Sequence, residues 1–115
     1  MQRNLFKRGV IVLGLCALSL VSLAQQPYPN RPVKIIVPFA TGGPADNYAR
    51  FAAQKLQEAL GQSFVVDNRP SAGGVIACEI VAKAAPDGYT LLAMSPTHVV
   101  TPNLRPNVGY DALRD

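Results

Sequence analysis

This chain of 115 residues contains the same succession of segments twice. Each succession consists of a short apolar segment, a loop that contains a pair of glycines, and a helical pattern. The apolar segments are residues 33–39 and 63–67, and the helical patterns are residues 44–60 and 75–85. Residues 89–94 form a third apolar segment. Short runs that are apolar throughout are typical of strands buried on both faces of a parallel sheet. The alternation therefore predicts an α/β fold whose parallel strands are connected by right-handed crossovers.

Each predicted helix has an apolar face that we expect to pack against the sheet. Pro44 suits the first helical position and Gly61 suits a C-cap. In the first helix, the residues expected to face inward are Tyr48, Phe51, Ala52, Leu56, Ala59 and Leu60. In the second helix, they are Ile76, Ile80, Val81 and Ala84. The residues after His98 include two prolines and a glycine, and they predict no further helix or strand.

Parallel strands place all three strand-to-helix loops at the carboxyl edge of the sheet, where ligands of open α/β folds bind. In the first loop, Gly42 and Gly43 allow a ligand to approach the backbone closely. The helix that begins near Pro44 offers free N–H groups and the positive end of its dipole, which suit a carboxylate. The alternative is a purely structural glycine turn in which Asp46 is an ordinary first-turn acid. Asp46 could also accept a hydrogen bond from a ligand or a bridging water.

The second and third loops carry similar candidates. Gly73 and Gly74 precede the second helix in the same arrangement, with structural tightness again as the alternative. The hydroxyls of Ser95 and Thr97 follow the third strand, and they could bind a carboxylate or cap the next segment. His98 is the one histidine and has no cysteine or second histidine near it in sequence, so no metal site is expected.

Several function classes lack their usual sequence signals. Ser95 lies in A-M-S-P-T rather than in a G-x-S-x-G elbow, so we do not expect a hydrolase. Neither the dinucleotide nor the nucleoside triphosphate motif occurs, and no cofactor is expected. Cys78 is expected to be a small buried hydrophobe. Residues 25–115 contain eight basic and seven acidic residues without a basic cluster, which argues against nucleic acid as a partner.

The first 24 residues differ in composition from the rest of the chain. Basic residues precede an uncharged apolar run at residues 9–23, and Ser22 and Ala24 then supply small side chains. This pattern predicts a secretory signal peptide that is cleaved after Ala24. As a helix the run would span about 22 Å, short of the ~30 Å hydrocarbon core, and an uncleaved anchor is the alternative. Residues 25–32 are expected to form an extended lead-in.

Three longer segments follow in a fixed order: P-V-K-I-I-V-P-F-A-T-G-G-P-A-D, L-G-Q-S-F-V-V-D-N-R-P-S-A-G-G and A-K-A-A-P-D-G-Y-T-L-L. Their order and spacing closely resemble the extracytoplasmic solute receptors of tripartite tricarboxylate transporters, the Bug-type periplasmic binding proteins. The resemblance extends from about Tyr28 to Asp115. It implies a periplasmic protein with a partial type II periplasmic-binding fold, in which residues 33–115 form an incomplete first lobe.

The resemblance also implies a function without catalysis. Members of this family close on a small carboxylate-bearing solute, partly through bridging waters, and then dock on the membrane subunits of a secondary transporter. Carried over by position, the implied binding residues are Thr41, Gly42, Gly43, Asp46, Ala72, Gly73, Gly74, Ser95 and Thr97. The chain departs from the family pattern at Pro44, where a small or polar residue is usual, and at Ser71 and Ala77, where glycine is common.

Family members continue well beyond the length of this chain. We therefore expect a partial receptor, without the second lobe and the hinge, that binds solute weakly or not at all. Two other functions are the alternatives. One is a small exported α/β module that binds another protein through an unfinished sheet edge. The other is a hydrolase or cofactor enzyme, which the missing motifs disfavour.

Overall fold

A computed structural model describes residues 27–115 of the chain. The elements in chain order are β1 (Val33–Val37), α1 (Pro44–Leu60), β2 (Phe64–Asn68), α2 (Val75–Ala82), β3 (Thr90–Leu92) and α3 (Thr97–Leu104). A 3-10 turn at Ala72–Gly74 leads into α2. The predicted signal peptide lies outside the described residues. Within those residues, no helix combines the length and the apolar character needed to cross a bilayer.

The strands form one parallel sheet in the order β2–β1–β3, which confirms the predicted α/β class. Val33 of β1 pairs with Phe64 of β2, and Lys34 pairs with Thr90 of β3. The chain passes from β1 to β2 on one side and then returns beyond β1 to β3. The direction of winding therefore reverses at β1, and this reversal creates a topological switch point between β1 and β3.

The central strand, β1, is buried on both faces except at Lys34, which is exposed. The side chains that pack together on the α1 face are Val33, Ile35, Val37, Ala49, Ala53 and Phe64. Ile36 points to the opposite face because side chains alternate along a strand, and it is only 1% exposed. That second face is left for α2, which contacts β3 and β1. The observed burial explains why the sequence of β1 is almost entirely apolar.

The predicted inner face of α1 is largely wrong. The residues expected inside but found exposed are Tyr48, Phe51, Ala52, Ala59 and Leu60. The structure instead buries Asp46, Ala49 and Ala53, and Leu56 alone among the predicted residues packs partly against the core. Alanine contributes little to an apolar pattern, and a buried aspartate contributes a polar position to the face that packs against the sheet. The apolar pattern therefore indicated the wrong face of α1. The predicted ends, with Pro44 at the start and Gly61 as a left-handed C-cap, are confirmed.

Small residues also make the main contact of α2. Ala77 and Cys78 are buried, which confirms the prediction for the cysteine. Ile76 and Ile80 were expected to face inward but are exposed, and Val81 is half-buried. Small side chains at the contact allow the helix backbone to lie close to the sheet. This close approach decides which face of α2 is buried, and the larger side chains of Ile76 and Ile80 lie outside the contact.

The prediction that no helix follows His98 is also wrong, because α3 forms there. This helix contains Pro102, which has no N–H to donate to the carbonyl of His98 four residues earlier. The hydroxyl of Tyr110 donates to that carbonyl oxygen at 2.9 Å instead. The helix therefore depends on a residue beyond its own end, and a local pattern does not reveal such a contact.

Residues 27–32 contain no helix or strand, and their side chains contact the turn before β3. The Tyr28 hydroxyl donates to the Gly88 carbonyl at 2.7 Å, and its ring meets that of Tyr89 edge-on with the centroids 5.1 Å apart. Arg31 lies 4.1 Å from the centroid of the Tyr89 ring and pairs with Asp87 at 2.8 Å. These contacts lie at the amino edge of the sheet, away from the strand-to-helix loops.

Candidate functional site

The strands end together at the carboxyl edge of the sheet. Val37 closes β1 and pairs with Asn68, which closes β2. The amide of Arg69 donates to the Val37 carbonyl at 2.7 Å, and the amide of Ala93 donates to the Ile36 carbonyl at 2.9 Å. All three strand-to-helix loops therefore leave from this one edge, as parallel strands require.

The first loop, residues 38–43, leads directly into α1. Gly42 has a φ of 86°, in the left-handed region that favours glycine. Gly43 is the N-cap and Pro44 the first helical residue, and no side chain of the described residues forms a capping hydrogen bond at this end. Thr41 and Gly42 are exposed. An accessible helix N-terminus without a side-chain cap is suited to an anion.

Asp46 lies in the first turn of α1, and it is only 1% exposed. Its Oδ2 accepts hydrogen bonds from the Gly42 amide at 2.8 Å and from Arg50 Nε at 2.9 Å, and its Oδ1 accepts one from Asn68 Nδ2 at 3.0 Å. The hydrogen bond from Arg50, followed by that from Gly42, lowers the pKa of Asp46 to about 2, although burial opposes this shift. The carboxylate is thus ionised and already engaged within the chain. Direct contact between Asp46 and a solute stays a prediction.

The second loop meets both of the others at Gly74. This glycine is buried and has a φ of 73°. A methyl group at Gly74 would lie 3.0 Å from Pro38 Cβ in the first loop and 3.9 Å from Thr97 Oγ1 beyond the third strand. Ala72 and Gly73 are exposed. Gly74 is therefore the point at which the three loops pack together, and a larger residue there would separate them.

The third loop presents two hydroxyls beside this junction. Ser95 Oγ and Thr97 Oγ1 lie 2.6 Å apart and share a hydrogen bond. Ser95 is half-buried, and Thr97 is exposed. In the part of the chain that the structure describes, no side chain caps α3, whose N-cap is Pro96. The hydroxyls are therefore bonded to each other rather than to the helix end.

Two polar residues near the site, Arg50 and Asn68, were missed from the sequence. Arg50 follows Asp46 by four residues, the spacing of an ion pair on one helix face, so a signal for it existed. Asn68 is 22 residues from Asp46 and reaches it only because β2 pairs with β1. No local pattern predicts that second contact.

The chemistry of Cys78 and His98 does not suggest catalysis. Sγ of Cys78 lies 3.4 Å from Nδ1 of His98, whose ring stacks on Tyr110 with the centroids 5.0 Å apart. Burial raises the pKa of the Cys78 thiol, and a protonated thiol is a poor nucleophile. Within residues 27–115, no group of three or more His, Cys, Asp or Glu side chains is placed to hold a metal ion.

Two cavities lie away from the first and second loops, and Met94 of the third loop lines one of them. One, of about 450 Å³, is formed by α3 and residues 106–113, and the other, of about 300 Å³, lies between α2, β3 and the C-terminal segment. Their linings contain none of the predicted binding residues and are mostly apolar. We favour the carboxyl edge as the functional site, because exposed backbone and hydroxyl groups meet there at a switch point of the sheet.

Comparisons with known proteins identify the family of the chain. The model of the tripartite tricarboxylate transporter family receptor matches residues 48–115. The chain is 43% identical to a UPF0065 protein of Bordetella bronchiseptica, over 88% of this chain and 30% of the relative. It is 49% identical to the protein BugT of Bordetella pertussis, over 76% of this chain and 28% of that protein. The chain thus spans about 30% of the length of these curated relatives.

Solved structures match the fold as well as the sequence. A periplasmic transporter structure is 44% identical with a TM-score of 0.72, over 77% of this chain and 30% of that one. Rpa4515 of R. palustris with adipate is 39% identical with a TM-score of 0.66, over 77% and 30% of the two chains. MatC of Rhodopseudomonas palustris with bound malate is 39% identical with a TM-score of 0.66, over 74% and 29%. The α/β architecture is thus part of a periplasmic-binding fold, and the chain belongs to the tripartite tricarboxylate transporter receptor family, a family of periplasmic solute receptors rather than enzymes.

Proposed function

We propose that residues 33–115 form the first lobe of a solute receptor and that the loops at its carboxyl edge bind a carboxylate of a small organic acid. The observation that carries this proposal is the start of α1, which no side chain of the described residues caps, at the same edge of the sheet as exposed loop backbone and the hydroxyl pair of Ser95 and Thr97. Backbone amides and hydroxyls are the donors that a carboxylate requires. Adipate and malate, which accompany two of the structural relatives, are both dicarboxylates. We therefore infer a dicarboxylate or a related organic acid as the solute.

The residues that we propose as solute contacts are Thr41, Gly42, Gly43, Ala72, Gly73, Gly74, Ser95 and Thr97. Asp46 is set apart from this group because its carboxylate already accepts hydrogen bonds from three donors of the chain.

We infer further that the receptor acts in the periplasm and delivers its solute to the membrane subunits of a tripartite transporter. Family membership supports this inference, and the signal-peptide pattern that ends at Ala24 supports export. The chain spans about 30% of the length of its relatives. We propose that residues 33–115 supply only part of the solute contacts. We expect this lobe to bind malate or adipate with a Kd of about 1 mM or weaker.

Ligand-observed NMR on the purified chain tests this function. Malate, adipate and a tricarboxylate are each titrated, and the dimethyl ester of adipate serves as a control of the same carbon skeleton without charge. We expect a saturable signal from the acids and none from the ester. Equal signals from acid and ester would contradict carboxylate recognition. A low-micromolar Kd would contradict the proposal that this lobe provides only part of the binding contacts.

A further inference from the structure

A compact polar cluster, here named the Asp46 cage, is formed by Asp46, Arg50 and Asn68 beneath the first loop. We propose that these three are positioning residues, which hold the first loop in its binding shape while the Asp46 carboxylate itself makes no contact with the solute. This inference rests on the proposed function, since the shape of the loop matters for binding only if the loop binds a solute.

The residue type at position 46 is dictated by its neighbours. Gly42 N–H, Arg50 Nε–H and Asn68 Nδ2–H all donate to the two carboxylate oxygens, at 2.8 to 3.0 Å. A carboxylate only accepts hydrogen bonds, so it satisfies every one of these donors. An asparagine of the same shape would place its own NH₂ group against at least one of them. The cage therefore requires a negative charge rather than only a polar side chain.

The cage connects the first loop to two rigid elements. Asn68, at the end of β2, donates from Nδ2 to the Phe39 carbonyl at 3.0 Å as well as to Asp46. Its Oδ1 accepts from Arg50 Nη2 at 3.1 Å, which links β2 to α1. The first loop is therefore held at Phe39 and again at Gly42, close to its two ends. Thr41, between these two points, remains exposed.

The charges of the cage also suit an anionic solute. An unpaired carboxylate beneath the loop would repel an incoming carboxylate. Arg50 Nε lies 2.9 Å from Asp46 Oδ2, so the pair carries no net charge. The positive end of the α1 dipole then remains available to the solute. Removal of Arg50 leaves a buried negative charge next to the proposed site, and we expect this change to weaken anion binding even if the loop keeps its shape.

Backbone ¹⁵N relaxation on the purified chain separates positioning from a purely structural role. In the wild type we expect order parameters of about 0.85 for the amides of residues 39–43, as in rigid backbone. Asp46→Asn should reduce them below about 0.6, while the amides of β1 keep their values. Glu58→Gln is the matched control, because Glu58 is an exposed acid on the same helix. It should leave every value unchanged.

A paired substitution tests the direction of the hydrogen bonds. In Asp46→Asn/Asn68→Asp, the new amide at position 46 donates to the new carboxylate at position 68 and still accepts from Gly42 and Arg50. The bond to the Phe39 carbonyl is lost, and the new carboxylate oxygen repels that carbonyl oxygen. We therefore expect order to return at the Gly42 amide but not at Phe39. Arg50→Lys should give intermediate order, because an ammonium lacks the fork that reaches two acceptors at once. This milder variant keeps the test decisive if Asp46→Asn does not fold.

A malate titration of the same variants completes the experiment, with at least tenfold weaker binding expected for Asp46→Asn and Arg50→Gln. If both loop order and malate affinity respond as described, the positioning role is supported. A loop that stays ordered in Asp46→Asn and in Arg50→Lys, with only thermal stability reduced, overturns it. If the wild type binds no malate although the loop loses order as expected, the proposed function fails while the control of loop shape by the cage is supported.

Discussion

Asp46 makes the stability of the fold depend on pH, because its pKa is about 2 in the folded chain and 3.8 ordinarily. A lowered folded-state pKa means that the stabilisation is complete above pH 3.8 and is lost as the pH falls towards 2. We predict that thermal melts between pH 5 and 2 show a smaller acid-induced loss for Asp46→Asn than for the wild type. Glu58→Gln should follow the wild type. Parallel curves for Asp46→Asn and the wild type would contradict the ionised cage.

Two glycines with the same backbone conformation are expected to differ in their tolerance of a methyl group. Gly61 has a φ of 70°, and a Cβ there meets no heavy atom within 4 Å among the described residues. Gly74 has a φ of 73°, but its Cβ would lie 3.0 Å from Pro38 Cβ. Alanine in this conformation costs about 1 kcal/mol at either position, and overpacking adds about 1–3 kcal/mol at Gly74 alone. Urea unfolding should show the larger loss for Gly74→Ala. Equal losses would mean that the first and second loops are not in contact.

At the scale of elements, the face of α1 that meets the sheet is tested by two neighbouring alanines. Ala53 is 5% exposed in the core, whereas Ala52 points to solvent. We predict that Ala53→Leu lowers the free energy of unfolding by about 1–3 kcal/mol through overpacking. Ala52→Leu should change it by less than about 0.5 kcal/mol. Urea unfolding of the two variants measures the difference, and the reverse order would support the face that the apolar pattern predicted.

The elements that could be predicted from the sequence are those with local signals. The apolar runs identified the parallel strands, and Pro44 and Gly61 marked the ends of α1. The elements that were missed depend on contacts between distant residues. α3 is a helix in spite of Pro102 because Tyr110 satisfies the carbonyl of His98.

At the candidate site too, the features with local signals could be predicted and those that depend on distant contacts could not. The glycine pairs and the hydroxyls of Ser95 and Thr97 are visible in the sequence, and parallel pairing is enough to bring their loops to one edge. The contact of Asn68 with Asp46 follows from the register of β2 on β1, in which Asn68 lies opposite Val37. Register depends on the pairing of whole strands, so reading one segment at a time does not reveal the cage.

At the scale of the whole molecule, the amino and carboxyl edges of the sheet differ in how their residues are engaged. The amino edge is fastened by the contacts of Tyr28 and Arg31 with the turn before β3. The carboxyl edge leaves exposed residues in its first two loops and at Thr97 in the third. A receptor needs this combination, because a rigid sheet with one accessible edge can present a fixed set of donors to a solute. The structure therefore predicts that solute affects only one end of the sheet.

The most direct test is a residue-resolved map of amide chemical shifts as malate is added to the ¹⁵N-labelled chain. The account predicts that the shifts concentrate in the amides of residues 41–43 and 72–74 and in those of Ser95 and Thr97. The amides of residues 27–32 and of the turn at Asp87 and Gly88 should stay in place. Shifts centred on the amino edge, or on the cavity between α3 and residues 106–113, would contradict the claim that the carboxyl edge binds the solute.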